Sequence, residues 1–146
     1  FLIHPKKSKQ TFLFTLIKQI FHGCVVETEH PIAINNENGR MVTVDIFVPA
    51  HNLALEYQGE QHYHDKLFNG GLLTGPQKAR DSEKAALCRD IGVTLVIIPY
   101  WWDLSLDTLV ATIRYHARDV HIDIPVKATS PLLGDGSPPQ DGIMSY

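Results

Sequence analysis

Two apolar-alternating runs lie close together between Arg40 and Gln58, and each carries one acid on its polar face. In Arg40 to Val48 the residues Val42, Val44, Ile46 and Val48 fall on one side and Thr43, Asp45 and Phe47 on the other. In Leu53 to Gln58 the residues Leu53, Leu55 and Tyr57 share one side, and Ala54, Glu56 and Gln58 share the other. Alternation with a period of two marks a β-strand with one buried face. Pro49 to Asn52 joins the runs by a short turn, so they are expected to pair antiparallel. Burying an ionised carboxylate in such surroundings costs several kcal/mol unless something pairs with it. Asp45 and Glu56 therefore constrain both the fold and the chemistry.

The flanking segments supply the rest of an α/β domain. Phe12, Leu13, Leu16, Ile17 and Ile20 follow helical spacing from Thr11 to Phe21, with Gly23 as a stop. Cys24 to Glu29 reads as a strand, and Asn35 to Gly39 is a turn cluster between strands. After Gln58 comes a Gly- and aromatic-rich loop, Gly59 to Pro76, long for a compact domain and of the kind that serves binding sites. Gln77 to Asp90 predicts a helix with Ala85, Leu87, Cys88 and Ile91 on or near its inner side and Gly92 as its stop. Val93 to Ile98 is a continuous apolar run rich in β-branched residues, suited to a strand buried on both faces, and the helix before it makes a crossover for parallel pairing. Ser105 to His116 predicts a last helix capped by Asp103 or Ser105. The expected order is αβββαβ followed by a helix, a four-stranded mixed sheet flanked by helices. Residues 1–118 form the domain on this reading, and residues 119–146, rich in Pro, Gly, Ser and Asp, form a loosely held tail.

Composition excludes some classes of function. Of the 146 residues, 44% are hydrophobic and 20% charged, the balance of an ordinary globular protein. A net charge of −3 argues against attachment to nucleic acid by a wholly basic surface, so any such contact has to be local. Lys6, Lys7 and Lys9 read as a solvated face, whereas Lys78, Arg80 and Lys84 are a candidate local patch. Cys24 and Cys88 lack metal-site or redox spacing and read as small buried thiols. With no apolar run long enough to cross a membrane and no signal peptide pattern, a soluble intracellular protein is expected. The chain begins at Phe1 rather than methionine, so further domains of a longer protein are expected partners.

Two carboxylates on neighbouring strands repel one another unless a cation joins them. Hard oxygen ligands of this kind suit Mg²⁺, which is held by one or two carboxylates with waters and substrate phosphate. The alternative reading of the same residues is a pair of half-exposed acids on the solvent face of a hairpin. The neighbourhood favours the first: Gly59-Glu60-Gln61-His62-Tyr63-His64 follows directly, and Asp81 and Lys84 share one face of the second helix.

The string V-D-I-F-V-P-A-H-N-L-A-L-E-Y-Q-G-E-Q-H-Y, followed by R-D-S-E-K-A-A-L-C-R-D-I-G-V-T-L-V-I-I-P-Y, resembles the PD-(D/E)XK nuclease superfamily. It is most similar to very-short-patch-repair-like endonucleases and small restriction-endonuclease-like domains. The resemblance implies a restriction-endonuclease-like αβββαβ core and Mg²⁺- or Mn²⁺-dependent hydrolysis of nucleic acid, with DNA the expected substrate. It implies that Asp45 and Glu56 bind the metal, with a backbone carbonyl beside Glu56. It sets Gln58 where the family has lysine, and His62 where this branch has a histidine that handles the attacking water or the phosphate. Asp81 and Lys84 match a polar pair that supports the site. Two positions depart from the pattern: E-x-K is E-x-Q here, as in some active restriction enzymes, and no acid lies between Thr11 and Phe21, where many relatives have a glutamate.

Weaker candidates complete the reading. His62, His64 and Asp65 lack the partners that would complete a zinc site. Tyr100, Trp101 and Trp102 could stack on bases, but at the end of a buried strand they read as core.

Overall fold

A computed structural model describes residues 5–58 and 83–133. The first helix, α1 (Pro5–Ile20), starts before the expected Thr11. Its opening turn tolerates Pro5, because proline's missing N–H has no intrahelical partner there. Leu13, Leu16, Ile17 and Ile20 are buried as expected, whereas Phe12 is exposed and rests its ring near Trp102.

Three strands follow. β1 (Glu27–Ile34) begins three residues after the expected Cys24 and runs past Pro31. Proline is allowed there because β1 is an outer strand of the sheet order β1-β2-β3-β4, and the register slips between Pro31 and Ala33. β2 (Met41–Val48) and β3 (Leu53–Gln58) pair antiparallel through the turn Pro49–His51, closed by Asn52 in the left-handed region that asparagine tolerates. Residues 83–90 are helical and form the described part of α2; its expected start at Gln77 lies outside the described residues, as do the loop from Gly59 and the side chains of Lys6 and Lys7. Gly92, at φ +78, ends it. β4 (Thr94–Pro99) then pairs parallel with β3, as the crossover requires. α3 (Leu106–His116) is capped by Ser105, whose side chain accepts from the N–H groups of Asp107 and Thr108. Asp103 accepts in turn from the Ser105 N–H and the Thr108 hydroxyl.

The architecture is α/β, a four-stranded mixed sheet with helices on both faces. On one face Leu13 and Ile17 of α1 and Leu109, Val110 and Ile113 of α3 pack against Ile46, Val48, Leu53, Leu55, Val96 and Ile98. On the other, Cys88 of α2 packs with Ala54, Val44 and Val93. Val42, Val44, Ile46 and Val48 are all buried as the alternation predicts, but Val44 packs in the second cluster rather than beside Ile46 and Val48. In β1 Glu29 takes φ +45 between the pairs Thr28↔Ile46 and His30↔Val44. Two further apolar residues expected inside are exposed, Ile91 at the end of α2 and Ile97 of β4. Ile97 sits on an outer strand of the sheet. Trp102 is buried and donates to the Ser105 carbonyl, as the core reading of the aromatic cluster requires. Among the described residues no helix is long and apolar enough to cross a membrane.

The segment 120–133 corrects the expectation of a loosely held tail. It has no helix or strand, yet Ile122 is buried and Val120, Ile124, Val126 and Leu132 pack on the core. Side chains of α3 satisfy its amides: Lys127 N–H donates to Asp107 Oδ1 at 3.0 Å and Leu132 N–H to Thr112 Oγ1 at 2.8 Å. Arg114 donates to the Ile122 carbonyl at 2.9 Å. Residues 134–146 lie outside the described residues. Ile122→Ala is expected to cost about 2–5 kcal/mol in urea unfolding, the range for a buried isoleucine; a loss within about 0.5 kcal/mol would return the segment to a surface tail.

Candidate active site

The two carboxylates stand where the sheet forks. Backbone pairing of β2 with β3 runs from Val48↔Leu53 to Ile46↔Leu55 and ends there. Beyond that point β2 continues against β1 as far as Met41, and β3 continues against β4 as far as Pro99. The next step of the register would set Asp45 opposite Glu56. Their side chains take over the hydrogen bonding that the ladder gives up: the Asp45 N–H donates to Glu56 Oε1 at 2.9 Å, and the Tyr57 N–H donates to Asp45 Oδ2 at 2.7 Å. Each carboxylate is thereby oriented by a main-chain donor, which a flexible side-chain donor could not do as rigidly.

A third group completes the cluster. Lys84, on α2, donates from Nζ to Glu56 Oε2 at 2.9 Å, with 26% of its side chain and 21% of that of Glu56 exposed. Burial pushes the Glu56 carboxyl above its ordinary value and the charge of Asp45 pushes it further, while the Lys84 ammonium and the Asp45 N–H pull it back. Cys88, one helical turn beyond Lys84, is buried, and that burial holds its thiol up; Lys84 lowers it and Glu56 raises it. A buried, protonated thiol is a packing group rather than a nucleophile.

The adjacent residue of α2 holds the other arm of the fork. Glu83 accepts from Asn35 Nδ2 and Arg40 Nη2, both in the turn between β1 and β2. That turn is itself closed by the Asn35 N–H on the Arg40 carbonyl at 2.8 Å and by Gly39, at φ +69, donating to the Asn35 carbonyl at 2.7 Å. No reading of the sequence singled out Glu83, Asn35 or Arg40. Their partners lie 43 and 48 residues apart, and no local spacing encodes such a contact.

Of the residues expected at the site, Asp45, Glu56 and Lys84 come together, and Gln58 ends β3 two residues beyond Glu56 on the same face. His62, Asp81, Lys78 and Arg80, with His64 and Asp65, lie outside the described residues. Lys84 was expected both to support the acids and to contact nucleic acid, and its ammonium is committed to Glu56. Among the described residues no three His, Cys, Asp or Glu side chains converge as a metal cage. Mg²⁺ does not need one, since two carboxylates with water and a substrate phosphate suffice. The donor set fits such an ion: both groups are hard anionic oxygens, and each is held by a main-chain amide of the other's strand.

Comparison with known proteins adds relatives without an activity. The chain is 34% identical over 74 residues to "Uncharacterized protein 094L" of Frog virus 3 (isolate Goorha), a match that covers 49% of this chain and 48% of that protein. It is 34% identical over 73 residues to "Uncharacterized protein 033L" of Invertebrate iridescent virus 3, covering 49% of this chain and 38% of that protein. The matched region thus spans less than half of each relative. No family model matches the chain, and no solved structure does.

The raised carboxyl of Glu56 sets a pH dependence. A group whose folded-state pKa lies above its unfolded value contributes stability that is complete below the unfolded pKa and is lost as pH rises through the folded one. Metal-free protein should therefore lose stability relative to Glu56→Gln as pH rises above the ordinary range of a glutamate. Parallel urea-unfolding profiles for the two proteins through that rise would contradict it.

Proposed function

We propose that this chain carries a metal-dependent nuclease domain of the PD-(D/E)XK kind, with a restriction-endonuclease-like core, which hydrolyses phosphodiester bonds of nucleic acid, DNA being the expected substrate. The observation that supports this best is the pair of amide-oriented carboxylates at the fork between β2 and β3. Half-buried acids are costly to keep together, and a divalent cation is a ligand that makes them favourable. The order of strands and the parallel step from β3 to β4 are consistent with that core.

On this reading Asp45 and Glu56 would hold Mg²⁺ or Mn²⁺. Bound there, the ion supplies Lewis acidity toward a phosphoryl oxygen and lowers the pKa of water. The main-chain donors at Asp45 and Tyr57 keep the two carboxylates in place without any reorganisation of solvent. Gln58 orients water or a phosphate oxygen through its amide, which can neither take a proton nor carry charge. His62, by its place in the sequence, handles the proton; Asp81 backs the site, and Lys78 and Arg80 contact the phosphate backbone.

A second reading, a degenerate nuclease fold that binds nucleic acid or protein without cleaving, is favoured by glutamine standing in the lysine position and by a lysine already engaged with Glu56. Calorimetric titration with Mn²⁺ and incubation with single- and double-stranded DNA separate the two. The nuclease reading expects Mn²⁺ binding that is lost in Asp45→Ala, and cleavage only with metal. Wild-type protein that binds no Mn²⁺ leaves the binding module. If His62 is the proton-handling group, single-turnover cleavage by His62→Ala should fall by about 10²–10⁴-fold with Mn²⁺ affinity kept, and by more than in Gln58→Ala.

A further inference from the structure

Two neighbouring residues of α2 reach opposite arms of the fork: Lys84 binds Glu56 on β3, and Glu83 binds Asn35 and Arg40 at the turn between β1 and β2. Glu83 keeps 18% of its side chain exposed and satisfies donors from two separate residues, so its contact is a clamp rather than a loose surface pair. Gln58, the last residue of β3, can offer hydrogen bonds to the site but no charge. The cation described against Glu56 comes from the helix, not from the strand.

We propose that Lys84 supplies, from α2, the fixed positive charge of this site, and that Glu83 is the positioning residue that keeps it there by clamping α2 to the β1–β2 turn. The proposal deepens the nuclease reading and rests on it for the chemical purpose of the charge. A lysine borne on the same strand as Glu56 would be placed by that strand alone. Lys84 is placed by the docking of a helix, so its position depends on the turn at the end of the hairpin whose second strand carries Asp45. A charge that orients phosphate while lying beside the metal ligands has two opposed effects. It opposes binding of a cation to those ligands, and it favours the anionic substrate and the charge that develops on it.

The test uses the whole chain. In Lys84→Met, Mn²⁺ affinity by calorimetry is expected to rise on the order of tenfold while single-turnover cleavage falls on the order of 10²-fold. A lysine that only braces the fold would lower both. Lys84→Arg is expected to move both quantities back toward wild type. Glu83→Gln should shift them in the same directions by less, and the exchanged pair Glu83→Arg with Arg40→Glu should restore them. A metal-free measurement guards against variants that fold poorly: urea midpoints of Lys84→Met, Glu56→Gln and the double variant should be non-additive, because the two groups share one contact. Additive midpoints, or Mn²⁺ affinity that falls in Lys84→Met, overturn the proposal, as does Glu83→Gln behaving as wild type in both readouts. Wild-type protein that fails to cleave, with non-additive midpoints, removes the nuclease reading and leaves the Lys84 placement standing.

Discussion

The parting of β2 from β3 after Ile46↔Leu55 is the constraint on which the site depends. Where two paired strands separate, main-chain amides lose their partners, and an amide left buried and unbonded costs about 1–3 kcal/mol. Asp45 and Glu56 stand at that point and accept from two of them. The acids are therefore needed by the backbone at the same place where they repel each other. That tension defines the chemistry: the carboxylates satisfy main-chain donors, and together they call for positive charge.

The positive charge and the fork have a common support. α2 lies against both arms, through Lys84 on one and Glu83 on the other, with Cys88 packed on Ala54 and Val44 between them. β1 contributes from a distance. Glu29 takes φ +45 across from the stretch of β2 that carries Asp45, and the register slips after Pro31. A residue other than glycine in the left-handed region costs of order 1–3 kcal/mol and persists only where the surroundings hold it. Here the surroundings are the hairpin whose far end Glu83 grips.

The relatives leave the functional reading where the chemistry leaves it. Each is matched over less than half its length, and neither printed name carries an activity. The proposal of a metal-dependent hydrolase rests on the carboxylate pair and its main-chain donors.

Much of this was legible along the chain. Period-two alternation marked β2 and β3 and put Asp45 and Glu56 on polar faces, a crossover helix predicted the parallel step to β4, and Ser105 marked the start of α3. These features are local: they depend on residues a few positions apart, where backbone sterics and spacing decide the outcome. The same rules misjudged Ile97 and the segment 120–133, because burial there is set by what packs from elsewhere: Ile97 lies on an outer strand, and α3 side chains bond to the extended backbone of 120–133. Glu83 gave no signal at all, since its partners are 43 and 48 residues away. The sequence by itself determined the strands, the helices and the two acids; the tertiary structure alone decided that the sheet forks at those acids and that a helix wedged between the arms brings Lys84 to them, because long-range packing, not local periodicity, sets which distant residues meet.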